Sequence, residues 1–203
     1  MSKPPLSLTE QFGEIDIYLF DQLLRGRIPP GTRILDAGCG AGRNLTYFLQ
    51  NGYDVFGADS DPRAIMAVRR LAPDVPASNF RHESIEGMTF PDAFADMVIS
   101  SAVLHFAADD AHFQAMLRGS WRVLKPGGLL FCRLASSIGI ETQIKNIAGR
   151  HYLLPDGSER YLVDAKLLIE LTDQLHAQLA DPIKTTVVQN QRAMTTWVLR
   201  KGH

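Results

Sequence analysis

An acidic residue and three closely spaced glycines follow an apolar run in the first quarter of the chain. The run 33–37 contains Asp36 and continues into Gly38, Gly40 and Gly42. This pattern predicts a strand that turns sharply into a helix. Glycine lets the backbone approach a ligand closely, and the first N–H groups of a helix have no partner within the helix. The segment therefore predicts a binding site for a nucleotide-like ligand.

The spacing of these residues separates two kinds of nucleotide loop. In a dinucleotide fingerprint, Gly-x-Gly-x-x-Gly, the third glycine position would be occupied here by Arg43. The order Asp36-x-Gly38-x-Gly40-x-Gly42 instead resembles the first motif of the class I S-adenosylmethionine-dependent methyltransferases.

Two further segments carry the same resemblance. Residues 96–106 resemble the family's fourth motif, in which an acid enters a strand, small hydroxyl residues end it and a histidine follows. Residues 121–130, Trp-Arg-Val-Leu-Lys-Pro-Gly-Gly-Leu-Leu, resemble its junction of helix, turn and fifth strand. The resemblance covers about residues 33–134 and implies S-adenosyl-L-methionine as the cofactor.

Asp59 follows Asp36 by 23 residues, at the predicted tip of the second strand. A carboxylate there can accept hydrogen bonds from both hydroxyls of a ribose. The resemblance gives the acid at this position that role. The alternative is a helix cap, because Ser60 and Asp61 share the same turn.

The resemblance assigns the adenine ring to the turn after the third strand. Glu83 would accept from the amino group, and the neighbouring backbone N–H groups would meet the ring nitrogens; the alternative is an exposed loop acid. The cofactor-binding residues predicted in this way are Asp36, Gly38, Cys39, Gly40, Gly42, Asn44, Asp59, Ser60, Glu83, Ser84, Ile85 and Ser100.

His105 is the candidate catalytic base. Ligands of open α/β sheets bind beyond the carboxyl ends of the strands, and His105 lies just past the fourth strand. Its ordinary pKa of ~6.5 suits proton removal from a substrate. The alternative is that it packs against the next helix or caps a turn.

Strands and helices alternate along the part of the chain that carries these motifs. The predicted strands are 33–37, 54–59, 79–82, 96–100, 129–134, 184–188 and 194–200, and the predicted helices are 8–25, 43–50, 64–71, 109–124 and 163–179. This order predicts an α/β fold with a doubly wound, mostly parallel sheet. The resemblance implies a Rossmann-like sheet of seven strands that ends in an antiparallel hairpin.

Residues 136–162 break the alternation, and we predict an irregular insertion that binds the methyl acceptor. Long ordered loops in compact domains are usually functional. The candidate substrate-binding residues are Arg150, His151, Tyr152 and Arg160, with solvated loop positions as the alternative.

The composition predicts one domain, 1–203, whose first 31 residues contribute a helix. A net charge of −1 gives no general attraction to nucleic acids or anionic membranes, so we expect a small-molecule partner, no nucleic acid, no membrane and no metal. The oligomer is expected to be a monomer or homodimer. Two cysteines, Cys39 and Cys132, and an N-terminus without a signal-like apolar core favour the cytoplasm.

The activity implied is in-line methyl transfer to a small molecule. The segment Gly42-Arg43-Asn44 and the short length also resemble tellurite and thiopurine methyltransferases, which keeps a soft chalcogen or thiol acceptor as an alternative. A protein that only binds the cofactor is another. A nicotinamide oxidoreductase is opposed by Arg43. No Asn/Asp-Pro-Pro-Tyr/Phe tetrad follows the fourth strand, which argues against amino-methylation of adenine or glutamine.

Overall fold

The computed structural model describes residues 6–203. In chain order its elements are α1 (Leu8–Phe12), α2 (Ile17–Leu24), β1 (Arg33–Ala37), α3 (Thr46–Gln50), β2 (Asp54–Asp59), α4 (Pro62–Leu71), β3 (Phe80–His82), β4 (Ala95–Ser101), α5 (Asp110–Val123), β5 (Leu124–Ser136), β6 (Lys145–Ala148), β7 (His151–Leu153), β8 (Glu159–Tyr161), α6 (Ala165–Gln174), β9 (Ala177–Leu179), β10 (Lys184–Val188) and β11 (Arg192–Lys201). Short 3₁₀ turns occupy Ala77–Asn79 and Leu104–Phe106.

The main sheet has the strand order β10-β11-β5-β4-β1-β2-β3. Strands β1 to β5 pair in parallel, whereas β11 is antiparallel to β5 and β10. β9 and β10 pair with successive parts of β11, so the sheet has eight strands, one more than the seven predicted. The predicted α/β fold, a mostly parallel sheet with a C-terminal antiparallel hairpin, is confirmed. The chain leaves β1 toward β2 on one side and later reaches β4 on the other, which makes the carboxyl end of β1 the topological switch point.

Both faces of the sheet are covered, which explains why its strands are almost continuously apolar. Leu35 and Val98 face the core formed with α5 and α6. Ile34 and Ile99 face the core formed with α2, α3 and α4.

The predicted helix 8–25 was wrong in one respect, because it is two helices. Gly13 ends α1 with φ +60°, and a Cβ there would come within 2.6 Å of Thr46 Oγ1. Asp16 then caps α2 by accepting from the Tyr18 N–H at 2.9 Å. The break places the connection 13–16 over the carboxyl ends of the strands.

Two other helices are shorter than their sequence pattern predicts. The helix expected from residue 43 begins at Thr46, because a turn closed by the Leu45 N–H on the Gly42 carbonyl precedes it. The helix expected to reach residue 179 ends at Gln174, and β9 follows as an edge strand. Pairing with β11 outweighs helical periodicity there.

The insertion after β5 was predicted to be irregular, and this was wrong. It forms a three-stranded antiparallel sheet, β6-β7-β8. His151 Nε2 contacts the Ala107 carbonyl at 2.8 Å, and Tyr161 donates its hydroxyl to Asp110 at 2.8 Å. These contacts fix the small sheet against the segment that follows β4. None of the helices in residues 6–203 combines the length and the apolar character of a membrane span.

Candidate cofactor and acceptor site

A cavity of about 850 Å³ opens at the carboxyl ends of β1, β2 and β4. Its size falls in the range of small-molecule sites. The predicted cofactor residues that line it are Gly38, Cys39, Gly40, Asn44, Asp59, Ser60, Ser84 and Ile85. The structure therefore brings eight of the twelve predicted residues to one surface.

The turn after β1 is bonded to the end of β2. The Gly38 and Cys39 N–H groups both donate to the Ala58 carbonyl, at 2.8 and 3.0 Å, and the Gly40 N–H donates to Asp59 Oδ2 at 2.8 Å. Gly38 has φ +86°, and a Cβ at this position would overlap the side chain of Val103. The glycine is required by backbone conformation and by space.

The sequence left open whether the acids at this turn bind a ribose or cap a helix, and the structure places Asp59 and Asp61 differently. Asp61 caps α4 by accepting from the Arg63 N–H at 2.8 Å, whereas Asp59 lines the cavity. Asp59 Oδ1 accepts from the Asp61 N–H at 2.8 Å. A carboxylate oxygen has room for a second donor, so the Asp59 carboxylate is suited to two hydroxyl groups.

Asp36 and Ser100 do not line the cavity. Both are buried, and within residues 6–203 neither side chain has a hydrogen-bond partner. Burial raises the pKa of Asp36 to about 7, with the Arg43 charge lowering it and the Asp59 charge raising it. A buried carboxylate without a partner is costly unless a cation or donor approaches it. Asp36 therefore fits a site that takes a positively charged ligand.

Gly42 does not face the cavity. A Cβ at this position would overlap Val68 and Leu71 of α4, at 2.8 Å. Its role is close packing between the turn and the neighbouring helix.

Glu83 does not line the cavity either. Its carboxylate accepts from the Thr89 N–H at 2.8 Å and from the Thr89 hydroxyl at 2.6 Å. Glu86 lines the cavity instead, with its carboxylate 3.7 Å from His112 Nε2. Burial tends to raise the pKa of Glu86, but hydrogen bonds from its own backbone and from Ser84 and the nearby His112 lower it overall.

His105 is buried and does not line the cavity. Its Nδ1 accepts from the Ala135 N–H at 3.1 Å, and burial, followed by the Arg160 charge, lowers its pKa to about 4. The imidazole therefore joins the segment after β4 to β5. The geometry agrees with the packing alternative rather than with a base exposed to substrate.

The four predicted acceptor residues lie in or beside the small sheet, but their side chains contact different parts of the molecule. Arg150 pairs with Asp164 at 2.9 Å, and it lines a different pocket of about 420 Å³ together with His151. Tyr152 packs against the cluster of Ala135, Leu154 and Leu162. Only Arg160 approaches the main cavity, because its guanidinium lies 4.9 Å from the centre of the Phe106 ring, which lines that cavity.

Ten lining residues were not among the site residues assigned from the sequence, although four of them, at 101–103 and 106, lie in the segment 96–106 that resembles the fourth motif. The ten are Glu14, Ala41, Arg43, Glu86, Ser101, Ala102, Val103, Phe106, His112 and Met116. Arg43 donates to Ser101 Oγ at 3.1 Å and so joins the turn after β1 to the end of β4. In the sequence, Arg43 opposed a dinucleotide site and formed part of the segment 42–44 that resembles tellurite and thiopurine methyltransferases, but it was not assigned to the site.

Glu14 reaches the cavity because the connection 13–16 is held from two sides. The Asp16 N–H donates to Asn44 Oδ1 at 3.0 Å, and the Asp16 carboxylate pairs with Arg133 of β5 at 2.7 Å. Asn44 was predicted to bind cofactor; it also positions this connection. Gly13, which interrupts the helix predicted over 8–25, was the one sequence signal that could have revealed that Glu14 reaches the cavity.

Comparison with known proteins agrees with this geometry. A family model described as a methyltransferase domain matches residues 35–132. An uncharacterized methyltransferase of Synechocystis sp. is 35% identical over 102 residues, which is 50% of this chain and 46% of that protein. The 2-methyl-6-phytyl-1,4-hydroquinone methyltransferase of the same organism is 33% identical over 104 residues, 51% of this chain and 32% of that protein. The chain thus spans less than half the length of these curated relatives.

Among solved structures, an S-adenosylmethionine-dependent methyltransferase of Methanosarcina mazei aligns with a TM-score of 0.71. The alignment has 20% identity and covers 89% of this chain and 97% of that chain. The fold is a Rossmann-like domain with its main cavity at the switch point of the sheet. The motifs, the matched domain and the curated relatives support a class I S-adenosylmethionine-dependent methyltransferase with S-adenosyl-L-methionine as its cofactor.

Proposed function

We propose that this chain transfers a methyl group from S-adenosyl-L-methionine to an aromatic hydroxy compound of the hydroquinone type. The observation that carries the proposal is the wall of the cavity at Phe106. The Phe106 side chain is 60% exposed, lines the same cavity as Asp59 and lies under the Arg160 guanidinium. A planar, electron-rich acceptor suits an aromatic ring backed by a cation.

The residues at the carboxyl ends of β1 and β2 fit this cofactor. Asp59 would hold the ribose hydroxyls, and the turn 38–41 would provide the backbone surface. The unpartnered Asp36 carboxylate is buried outside the cavity wall and would attract the positive charge of the ligand through that wall. When bound, S-adenosyl-L-methionine supplies a methyl group on a cationic sulfur. The protein therefore has no leaving anion to stabilise, and orientation of the acceptor is its main contribution.

The acceptor class has independent support from similarity. A relative that is 33% identical over half of this chain is named for a 1,4-hydroquinone. Since His105 is buried with Nδ1 already hydrogen-bonded, we expect the rate to follow ionisation of the acceptor hydroxyl, with no inflection from this histidine near neutral pH.

The test is a transfer assay with labelled S-adenosyl-L-methionine and five acceptors: methylhydroquinone, catechol, thiophenol, an aliphatic amine and tellurite. We expect a methylated hydroquinone or catechol by mass spectrometry. Phe106→Ala should raise the Michaelis constant for that acceptor about tenfold, whereas Phe106→Tyr keeps an aromatic wall and serves as the control. Transfer only to thiophenol or tellurite would replace this acceptor class with a soft one, and binding without any transfer would indicate a non-catalytic protein.

A further inference from the structure

The two N-terminal helices carry an exposed apolar surface beside the cavity. Leu8, Ile17 and Leu24 are 75%, 64% and 71% exposed. They border two adjacent depressions of about 220 and 340 Å³ that share Ile17 and Phe20. We call the two together the N-terminal groove. Its members are Leu8, Thr9, Phe12, Gly13, Ile15, Ile17, Tyr18, Phe20, Asp21, Leu24 and Lys184.

The N-terminal groove adjoins the main cavity along the chain. Gly13 and Ile15 line the groove, and Glu14, between them, lines the cavity. The Asp16 contacts to Asn44 and Arg133 hold this connection at the carboxyl ends of the strands. Residues 13–15 therefore border both the cavity and the groove.

The charged side chains and the phenol of the groove already have partners. Lys184 Nζ lies 3.8 Å from Asp21, Asp21 also pairs with Arg25 at 2.8 Å, and the Tyr18 hydroxyl bonds to Thr186 at 2.6 Å. The centre of the groove is aromatic, with the Phe12 and Phe20 rings edge to face at 4.8 Å. A neutral apolar chain fits this surface better than a charged or strongly polar ligand.

The charge of the helices argues against an anionic membrane surface as the occupant. Residues 6–25 contain the acids Glu10, Glu14, Asp16 and Asp21 and one base, Arg25. Segments that lie on anionic membranes carry Lys and Arg on their polar face.

We propose that the N-terminal groove binds an apolar tail on the methyl acceptor, so that the substrate is a hydroquinone bearing an alkyl or prenyl chain. This inference rests on the proposed function. The rise of α2 from Ile17 to Leu24 is on the order of 10 Å, which accommodates a chain of medium length.

The experiment compares the Michaelis constants for three hydroquinones that carry a methyl, a butyl or an octyl substituent on the ring. Each fully buried methylene group changes affinity by up to about fourfold, so a partly open groove should lower the Michaelis constant at least about tenfold from methyl to octyl. The double variant Ile17→Ser/Leu24→Ser should lose this dependence on tail length. The control is Met66→Ser on α4, an apolar side chain 53% exposed outside the groove, which should keep it.

Two further measurements separate the possible failures. If no hydroquinone is methylated, the proposed function fails, and n-octyl glucoside below its micellar concentration then tests the groove alone. Chemical-shift changes at the methyl groups of Ile17 and Leu24 would support the groove, and their absence would overturn it. A Michaelis constant independent of tail length would also overturn the proposal. If the Michaelis constant does not depend on tail length, and Ile17→Ser/Leu24→Ser instead abolishes binding to anionic vesicles or dimerisation, the groove has a different occupant and the proposal is overturned.

Discussion

The two ends of the cavity are built in different ways. The end that we propose binds the cofactor, the cofactor end, is formed by consecutive strand ends, and the Gly40 to Asp59 hydrogen bond there joins residues 19 positions apart. The end that we propose binds the acceptor, the acceptor end, depends on distant contacts, since Asp16 and Arg133 lie 117 positions apart. The cofactor end is thus a property of a local β-α-β unit, whereas the acceptor end exists only when the N-terminal helices, β5 and the small sheet have docked.

The largest effect should come from breaking the long-range support of the acceptor end. Asp16 has a fully buried carboxylate whose cationic partner is Arg133. Arg133→Met leaves that charge unpaired, and we expect the free energy of unfolding to fall by about 3–5 kcal/mol. Urea denaturation measures it. Arg63→Met, which removes the exposed pair with Asp61, is the control and should change little. If Arg133→Met and Arg63→Met lower the free energy of unfolding by the same small amount, the Asp16–Arg133 pair does not hold the N-terminal connection.

The next effect tests whether the cofactor end depends on backbone shape. Gly38→Ala must accommodate both φ +86° and overlap with Val103, so we expect a loss of about 3 kcal/mol in stability and weaker cofactor binding. Gly40→Ala has φ +52° with no atom within 4 Å of the new Cβ, so it should cost about 1 kcal/mol. Denaturation and calorimetry measure the pair. If Gly38→Ala and Gly40→Ala have the same stability and the same cofactor affinity, overlap with Val103 is not the reason for glycine at position 38.

Asp59→Ala should mainly affect affinity. Loss of two hydroxyl partners should weaken S-adenosyl-L-methionine binding about 100-fold, with a smaller loss of stability because Asp59 also accepts from the Gly40 N–H. Asp61→Ala removes the cap of α4 and should leave affinity unchanged. Isothermal calorimetry compares them, and equal affinities of Asp59→Ala and wild type would reject the ribose role.

Asp36 links cofactor affinity to pH. Its pKa is raised from 3.8 to about 7 in the free protein, so at pH 6 it is mostly protonated. A cationic ligand favours the ionised form, and binding should therefore release a proton at pH 6 and become up to about tenfold tighter by pH 8. Calorimetry in buffers of different ionisation enthalpy measures both effects.

The raised pKa of Asp36 makes folding stability change with pH in the opposite direction to cofactor affinity. The folded state binds more protons at Asp36 than the unfolded state between these pKa values, so this group makes the free protein less stable as pH rises from about 4 to 7. Asp36→Asn should remove both pH dependences. If it retains the dependence of affinity, another group is responsible.

The smallest effect distinguishes two neighbouring acids. Glu83→Gln should change cofactor affinity less than about twofold, because the Glu83 carboxylate is bound to Thr89 outside the cavity. Glu86→Gln should weaken it severalfold, since Glu86 lines the cavity. The reverse order would restore the adenine role that the sequence assigned to Glu83.

Much of the cofactor end could be predicted because its contacts follow strand ends that sequence periodicity locates. Gly38, Gly40 and Asp59 meet once β1 and β2 pair in parallel. The exceptions were decided by side-chain direction: Asp36 and Ser100 face buried positions, and Glu83 is taken by Thr89. Residue spacing alone does not give those directions.

The sequence by itself determined the α/β order, the glycine turn and the acid at the tip of β2, because these depend on backbone conformation and hydrophobic period. Only the tertiary structure decided that His105 is buried, that Glu14 and Phe106 line the cavity, and that residues 136–162 form a sheet. Those outcomes depend on contacts between segments far apart in the chain, whose packing and desolvation arise only after the sheet has assembled.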